Sequence, residues 1–296
     1  VRERRPPFGV RHLVAVADDF GLSSPVDRAV AEAHDAGVLT AASLMASGNA
    51  FEEAVALAVE RPTLSVGLHV TLCDGRSVLS ASEIPALVGS DGWFEKDPVK
   101  AWLKYKGPET LCQIEREIEA QMERLEGSGI HPSHVDCHHH LHMKPALFEI
   151  LCRVAARRGI RWIRIPGEPL RQALCIRSLA RGAMPFLEWT VFGTLRLFHM
   201  KTAREHELKA ASRTYGLFRT GHITEKYFLH VLDGMVGSLN EIFTHPDLST
   251  EAGRRELKTL TSARVRQRIA SLGIKLAGYR ELAGEAGAFS SAWGRA

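Results

Sequence analysis

The chain has 296 residues, 45% hydrophobic and 24% charged, a globular balance that one α/β barrel of about 250 residues would fill. Most of the formal charge of +4 comes from the first eleven residues, where Arg2, Arg4, Arg5 and Arg11 face only Glu3, so the body is near neutral and no nucleic-acid partner is expected. Five cysteines without a CxxC pair argue against a disulfide framework, and no apolar run reaches the roughly 18 residues of a membrane span.

The amino-terminal apolar stretch is too short for the core of a signal peptide, and a cytoplasmic setting is expected. "HLVAVADD" reads as the first strand. The helix "SSPVDRAVAEAHDAG" follows, with Ser23 or Ser24 as cap, Pro25 in its first turn and Gly37 at its end. "VLTAASLMAS" is the second strand, "NAFEEAVALAVER" a helix capped by Asn49, and "LSVGLHVTL" the third strand. A long loop from Cys73 to about Pro108 leads to the amphipathic helix "ETLCQIEREIEAQMERLEGSG" and to a fourth strand in "HPSHVDCHHH". Helix "PALFEILCRVAARRG" and strand "IRWIRIP" come next. The apolar stretch Pro185 to Met200 reads as a capping helix or as a flap for a lipid-like surface, with Trp189 and Phe192 as its bulky aromatics. Helices "TEKYFLHVLDGM" and "TSARVRQRIASLG" precede strands "LNEIFTHP" and "IKLAGY", and "GLFRTGHI" is an additional strand candidate. Buried strands alternating with helices predict an α/β fold, a distorted (β/α) barrel of about seven parallel strands. The domain spans 12–282, with a basic extension over 1–11, an apolar insertion around 185–200 and a flexible tail over 283–296.

The polar groups collect at strand ends. Asp18 and Asp19 close the first strand, His69 the third and His138 the fourth. Arg164 lies in the fifth, and His245 closes a late one. In a parallel barrel these ends share one mouth, where chemistry is built. Two imidazoles and a carboxylate suit a divalent metal with one open position; zinc suits imidazoles better than magnesium, but the residue types leave both open. Strand alternation places Asp136, His138, His140 and His142 on one side and His139 on the other, which makes His139 the weakest ligand candidate. Asp136 is positioned to orient an imidazole. Taken singly, His69 would be an ordinary core histidine and "ADD" a helix cap; together the residues point to one site.

"VAVADDFGLS", "SVGLHVTL", "HVDCHHHLH" and "EIFTHP", in this order, resemble the YdjC/ChbG-type carbohydrate deacetylases over about His12 to Gly278. The resemblance implies a barrel related to the polysaccharide deacetylases and hydrolysis of N-acetyl groups on amino sugars. It implies metal ligands Asp19, His69 and His138, a general base Asp18, and His245 as acid or substrate contact. His140, His142 and Arg164, with Asp136, would then contact substrate or stand behind the ligands. A narrower likeness, carried by "LTAASLMASG", "GLHVTLCDGRSVL" and "EIPALVGSDGWF", is to the hopanoid-biosynthesis-associated (HpnK-like) branch. It implies an N-acetylglucosaminyl bacteriohopanetetrol substrate; with such a lipid, the apolar stretch 185–200 and the basic tail would make a peripheral contact with the inner membrane, and the family resemblance implies a homodimer. Members of that branch often carry Lys at the position of His139. The alternatives are a deacetylase of soluble chitooligosaccharides and a non-catalytic metal- or lipid-binding barrel.

Overall fold

The computed structural model describes residues 10–169 and 184–284. Seven strands form one parallel sheet in the order β4-β3-β2-β1-β6-β5, with β7 beside β1. They are β1 (His12–Phe20), β2 (Ala41–Leu44), β3 (Ser65–Val70), β4 (Val135–Cys137), β5 (Arg213–Tyr215), β6 (Leu239–Thr244) and β7 (Lys275–Leu276). The segment 161–167 joins the two sheet edges. Val135 N–H donates to Trp162 O at 3.0 Å on one side, and Ile163 N–H donates to Lys209 O at 2.9 Å on the other. The result is the distorted parallel barrel expected from the sequence. Two expectations need correction. "IRWIRIP" is held by isolated bridges rather than a regular ladder. "GLFRTGHI" is not a strand: Leu217–Arg219 is a short 3-10 turn and the strand precedes it.

Alternation along the strands divides the interior from the helical layer. On β1, Leu13, Ala15 and Ala17 pack into the large core under the helices, whereas Val14 and Val16 belong to a small core with Trp162, Phe243 and Tyr279 inside the barrel. The inward positions nearer the mouth are polar: Asp18, Ser43, His69, Asp136, Arg164 and Glu241 are all buried. The barrel therefore has an apolar floor and a charged upper layer.

The outer helices follow from simple signals. Pro25 and Pro145 sit in the first turns of α1 (Ser24–Asp35) and α5 (Pro145–Arg157), where the missing N–H is harmless. Helix α2 (Phe51–Val59) has Ala50, not Asn49, at its cap. The predicted loop after β3 contains α3 (Pro98–Lys104), whose cap Asp97 accepts from the Val99 and Lys100 amides. Helix α4 (Pro108–Gly127) packs on α5. The apolar stretch is part of α6 (Met184–Glu205). Its Arg196 plugs the gap where segment 161–167 leaves β5, donating to the carbonyls of Ile165, Ala211 (2.8 Å) and Ser212 (2.9 Å). His199 Nε2 donates to Met143 O at 2.9 Å and its ring stacks on Phe148 at 4.1 Å. Phe192 packs against the core, so the outward apolar residues are Val191, Leu197 and Phe198 instead; the Trp189 side chain, the extension over 1–9 and the tail from 285 lie outside the described residues. No helix among the described residues is long and apolar enough to cross a membrane. Helices α7 (Glu225–Gly234), α8 (Glu251–Leu260), α9 (Ala263–Ser271) and α10 (Tyr279–Gly284) complete the shell. Cys73, Cys112, Cys137 and Cys152 are free thiols.

Candidate metal centre

At the carboxyl end of β1 the strand changes course. Its register with β2 shifts between Ala17 and Phe20, and Asp19 adopts φ +63°, a conformation that costs a non-glycine residue about 1–3 kcal/mol. By simple alternation Asp18 faces inward and Asp19 outward. The bulge and the left-handed turn bring both carboxylates to the mouth, and such bulges commonly re-aim a side chain next to a site.

Asp19 Oδ1 lies 3.3 Å from His69 Nε2 and 2.9 Å from His138 Nδ1. The three potential ligand atoms lie within 4.8 Å of one another. Oδ1 is buried, yet neither imidazole meets it with the geometry of a hydrogen bond. A buried carboxylate oxygen faced by two ring nitrogens and bonded to neither is the arrangement a divalent cation completes. Burial alone would raise the Asp19 carboxyl, but the His138 and His69 imidazoles outweigh it and hold Asp19 well below the ordinary carboxylate range.

The layer behind these groups is organised by Asp136. Its Oδ1 accepts from His69 Nδ1 at 2.6 Å, which turns Nε2 toward Asp19, the usual carboxylate–imidazole arrangement behind a metal. Its Oδ2 accepts from Ser43 Oγ at 2.7 Å and forms an ion pair with Arg164 Nη1 at 2.7 Å. Burial would lower the basicity of His69, but Asp136 and Asp19 together raise it to about 10. Ser43 Oγ also lies 3.1 Å from Nε2 of His134, an imidazole that burial lowers to about 3.

Arg164 is the hub. Its guanidinium grips both oxygens of Asp18, at 2.6 and 2.8 Å, bonds Glu241 through Nε, and lies over the Phe243 ring at 4.8 Å. Tyr279 donates to the other Glu241 oxygen at 2.5 Å. His245 Nε2 stands 3.9 Å from Asp18 Oδ2. Its backbone N–H is fixed by Glu256 at 2.6 Å, while its Nδ1 is buried without a hydrogen-bond partner.

Residues 12–271 match the family model described as YdjC-like protein. The chain belongs to the YdjC-like family. It is 32% identical to a carbohydrate deacetylase of Brevibacillus brevis over 91% of this chain and 99% of that protein. It is also 32% identical to a chitooligosaccharide deacetylase of Salmonella typhimurium, over 90% and 96% of the two chains. A solved Enterococcus faecalis protein named for cellobiose-phosphate cleavage superposes with a TM-score of 0.73 at 25% identity, covering 92% of this chain and 99% of its own.

In this YdjC-like barrel the histidine run departs from the alternation expected of it. Strand β4 ends at Cys137, and residues 138–143 form tight turns broken by a kink at His139 and His140, which take φ +53° and +52°. His140 turns inward, its ring edge-on to Phe243 at 4.9 Å, with Nδ1 buried and unpartnered. His142 does not reach the mouth: it is buried and donates from Nε2 to Arg164 O at 2.9 Å, bracing the hub from behind. His139 stands on the rim, 3.6 Å from Asp74. Glu241 and Ser43 were not singled out from the sequence. The signal was available in "LNEIFT", where a lone charged residue occupies an inward position of a fully buried strand.

Proposed function

We infer that the chain is a carbohydrate N-deacetylase that hydrolyses the acetamide of an N-acetylglucosaminyl substrate with one divalent ion, Zn2+ or Mg2+, held by Asp19, His69 and His138. The observation that carries this reading is the convergence of Asp19, His69 and His138 beside an Asp18–His245 pair. The deacetylase names of relatives that span nearly the whole chain support it. A bound divalent ion supplies Lewis acidity, lowering the pKa of water and polarising a carbonyl; two imidazoles in the donor set favour zinc.

The remaining work belongs to the chain. Asp18, oriented by both arms of Arg164, takes the proton of the attacking water as the new C–O bond forms at the acetyl carbon. His245 delivers a proton to the amide nitrogen, so that the C–N bond breaks with the amine as a neutral leaving group. The products are acetate and the free amino sugar. Asp136 keeps the His69 ring in the ligating orientation, and Arg164 prevents Asp18 from turning away.

The finer substrate is N-acetylglucosaminyl bacteriohopanetetrol, in hopanoid side-chain biosynthesis. The likeness to that branch supports it, as does the outward apolar row Val191, Leu197 and Phe198 on α6, which suits a lipid or the surface of the inner membrane. The chitooligosaccharide name of the Salmonella relative favours a soluble sugar chain as the second reading. A homodimer rests on the resemblance and is tested by light scattering.

The deciding experiment measures acetate release from an N-acetylglucosaminyl lipid, from N-acetylglucosamine and from N,N'-diacetylchitobiose, with and without chelator. Chelator-sensitive release from the lipid alone is the expected result. Release from the disaccharide instead keeps the chemistry and moves the substrate to the second reading. No release from any of the three, with metal bound, overturns the enzyme in favour of a metal-binding barrel.

A further inference from the structure

A polar cleft opens between the turn after β2 and the segment that follows β3. It encloses about 410 Å³ and is lined by Ser47, Asn49, Arg76, Ser77, Asp91 and Arg124 among others. Both walls start at the metal centre. On one side Gly48 abuts the backbone of Gly21, two residues after Asp19, so closely that a Cβ on Gly48 would sit 2.1 Å from Gly21 O. On the other, the chain leaves β3 after His69, contacts His139 through Asp74, and reaches Arg76 two residues later. Segment 73–95 is a small cap folded back on itself: Asp74 N–H donates to Glu95 O, Phe94 N–H to Gly75 O and Ser77 N–H to Gly92 O, each at 3.0 Å. It holds Arg76 opposite Arg124 of α4.

The donors in this cleft are underused. Arg76 makes one hydrogen bond, to Asp91 O at 3.3 Å, with its guanidinium 5.6 Å from the Trp93 ring; Arg124 lies over the Phe51 ring at 4.5 Å and meets Glu52 at 3.9 Å, so most N–H groups of both keep no hydrogen-bond partner. Ser47 Oγ is buried without a hydrogen-bond partner. Guanidinium donors, hydroxyls that both donate and accept, an amide and a carboxylate within one cleft match a ligand whose own groups both donate and accept. The Asp91 carboxylate disfavours a bare anion, and the apolar row of α6 lies outside this lining.

Resting on the deacetylase reading, we propose that this cleft is the subsite for the hydroxyl-bearing part of the substrate next to the acetylated sugar, a second sugar ring or a polyol chain. Arg76 and Arg124 are its specificity-determining residues.

The test compares metal-loaded wild type with Arg76→Ala and Arg124→Ala on N,N'-diacetylchitobiose and on N-acetylglucosamine. Loss of one charged donor to a bound hydroxyl raises KM for the disaccharide about tenfold with kcat held, and leaves the monosaccharide kinetics unchanged. Arg124 lies on an exposed helical face, so its variant remains informative if Arg76→Ala folds poorly. Unchanged disaccharide kinetics in both variants, or matched losses on both sugars, overturns the subsite. If the wild type releases acetate from neither sugar but does so from the N-acetylglucosaminyl lipid, the variants are compared on the lipid, where a raised KM supports the cleft and unchanged kinetics overturns it; release from none of the three substrates is the failure of the deacetylase reading. Calorimetric binding of the disaccharide to wild type and Arg76→Ala then judges the cleft alone: weaker binding in the variant supports it, and equal or absent binding overturns it.

Discussion

Asp18 and Asp19 are adjacent in sequence but have different surroundings. Asp18 is locked by a guanidinium and Asp19 is faced by two imidazoles. Their substitutions should therefore separate cleanly. Asp18→Asn should keep the metal and lose about 10²- to 10⁴-fold in turnover, the usual worth of a general base, whereas Asp19→Asn should lose the metal itself. Metal content beside acetate release checks both, and turnover retained in Asp18→Asn would remove Asp18 from the reaction. Asp27 shows a second residue-scale effect. It is fully buried; Oδ1 accepts from Gly21 N–H at 2.6 Å, while Oδ2 has no partner. Burial raises its carboxyl to about 7. Between the unfolded value near ~4 and that point, the folded chain binds more protons than the unfolded chain, so Asp27 lowers stability as pH rises through this window. Asp27→Asn removes that slope. Its melting temperature relative to wild type should climb by a few degrees between about pH 4 and about pH 8, and a difference that stays flat with pH would show that Asp27 does not titrate there.

Among the elements, β3 carries a tight constraint in the Gly of "GLH". Gly67 faces inward, and a Cβ there would meet ring atoms and the carbonyl of His134 at 2.5 Å. Gly67→Ala must push β4 outward and should cost about 1–3 kcal/mol, the usual cost of overpacking. Thermal denaturation measures it, and a melting temperature equal to wild type would mean that His134 yields without cost. The same strands explain how much could be read in advance. β1 and β3 are apolar runs ending in acids or imidazoles, and β6 is a short buried run before His245, so their existence and the polar groups gathered at their ends were both legible. β5 was not: Arg213–Tyr215 is three residues long, and its partners are distant in sequence. Helix α8 was also missed; its cap Thr250 accepts from Gly253 N–H at 3.0 Å, a signal hidden among other small polar residues. The histidine run misled for a different reason. Period-two alternation holds only while the backbone is extended, and two successive left-handed residues end it at His139 and His140.

At the scale of the molecule, metal binding and stability are linked. The donors sit on or just after three separate strands, so an ion that binds only the folded barrel should stabilise all of it, by about 2.7 kcal/mol at a hundred times its dissociation constant. Melting curves of chelator-treated protein should shift upward on adding zinc in wild type and not in Asp19→Asn. An equal shift in both would place the ion elsewhere.

The closure of the barrel by segment 161–167 also has a consequence in time. Asp18 leaves the ribosome 146 residues ahead of Arg164, and until Arg164 arrives the β4 edge has no closing segment and Asp18 lacks the guanidinium that grips it. Synthesis at about 5–20 residues per second leaves Asp18 without that partner for about 7–30 seconds. The segment that shuts the wall is also the one that neutralises its interior, so a ribosome stalled before Arg164 would hold a chain with every candidate metal ligand already made and no assembled centre for an ion to enter.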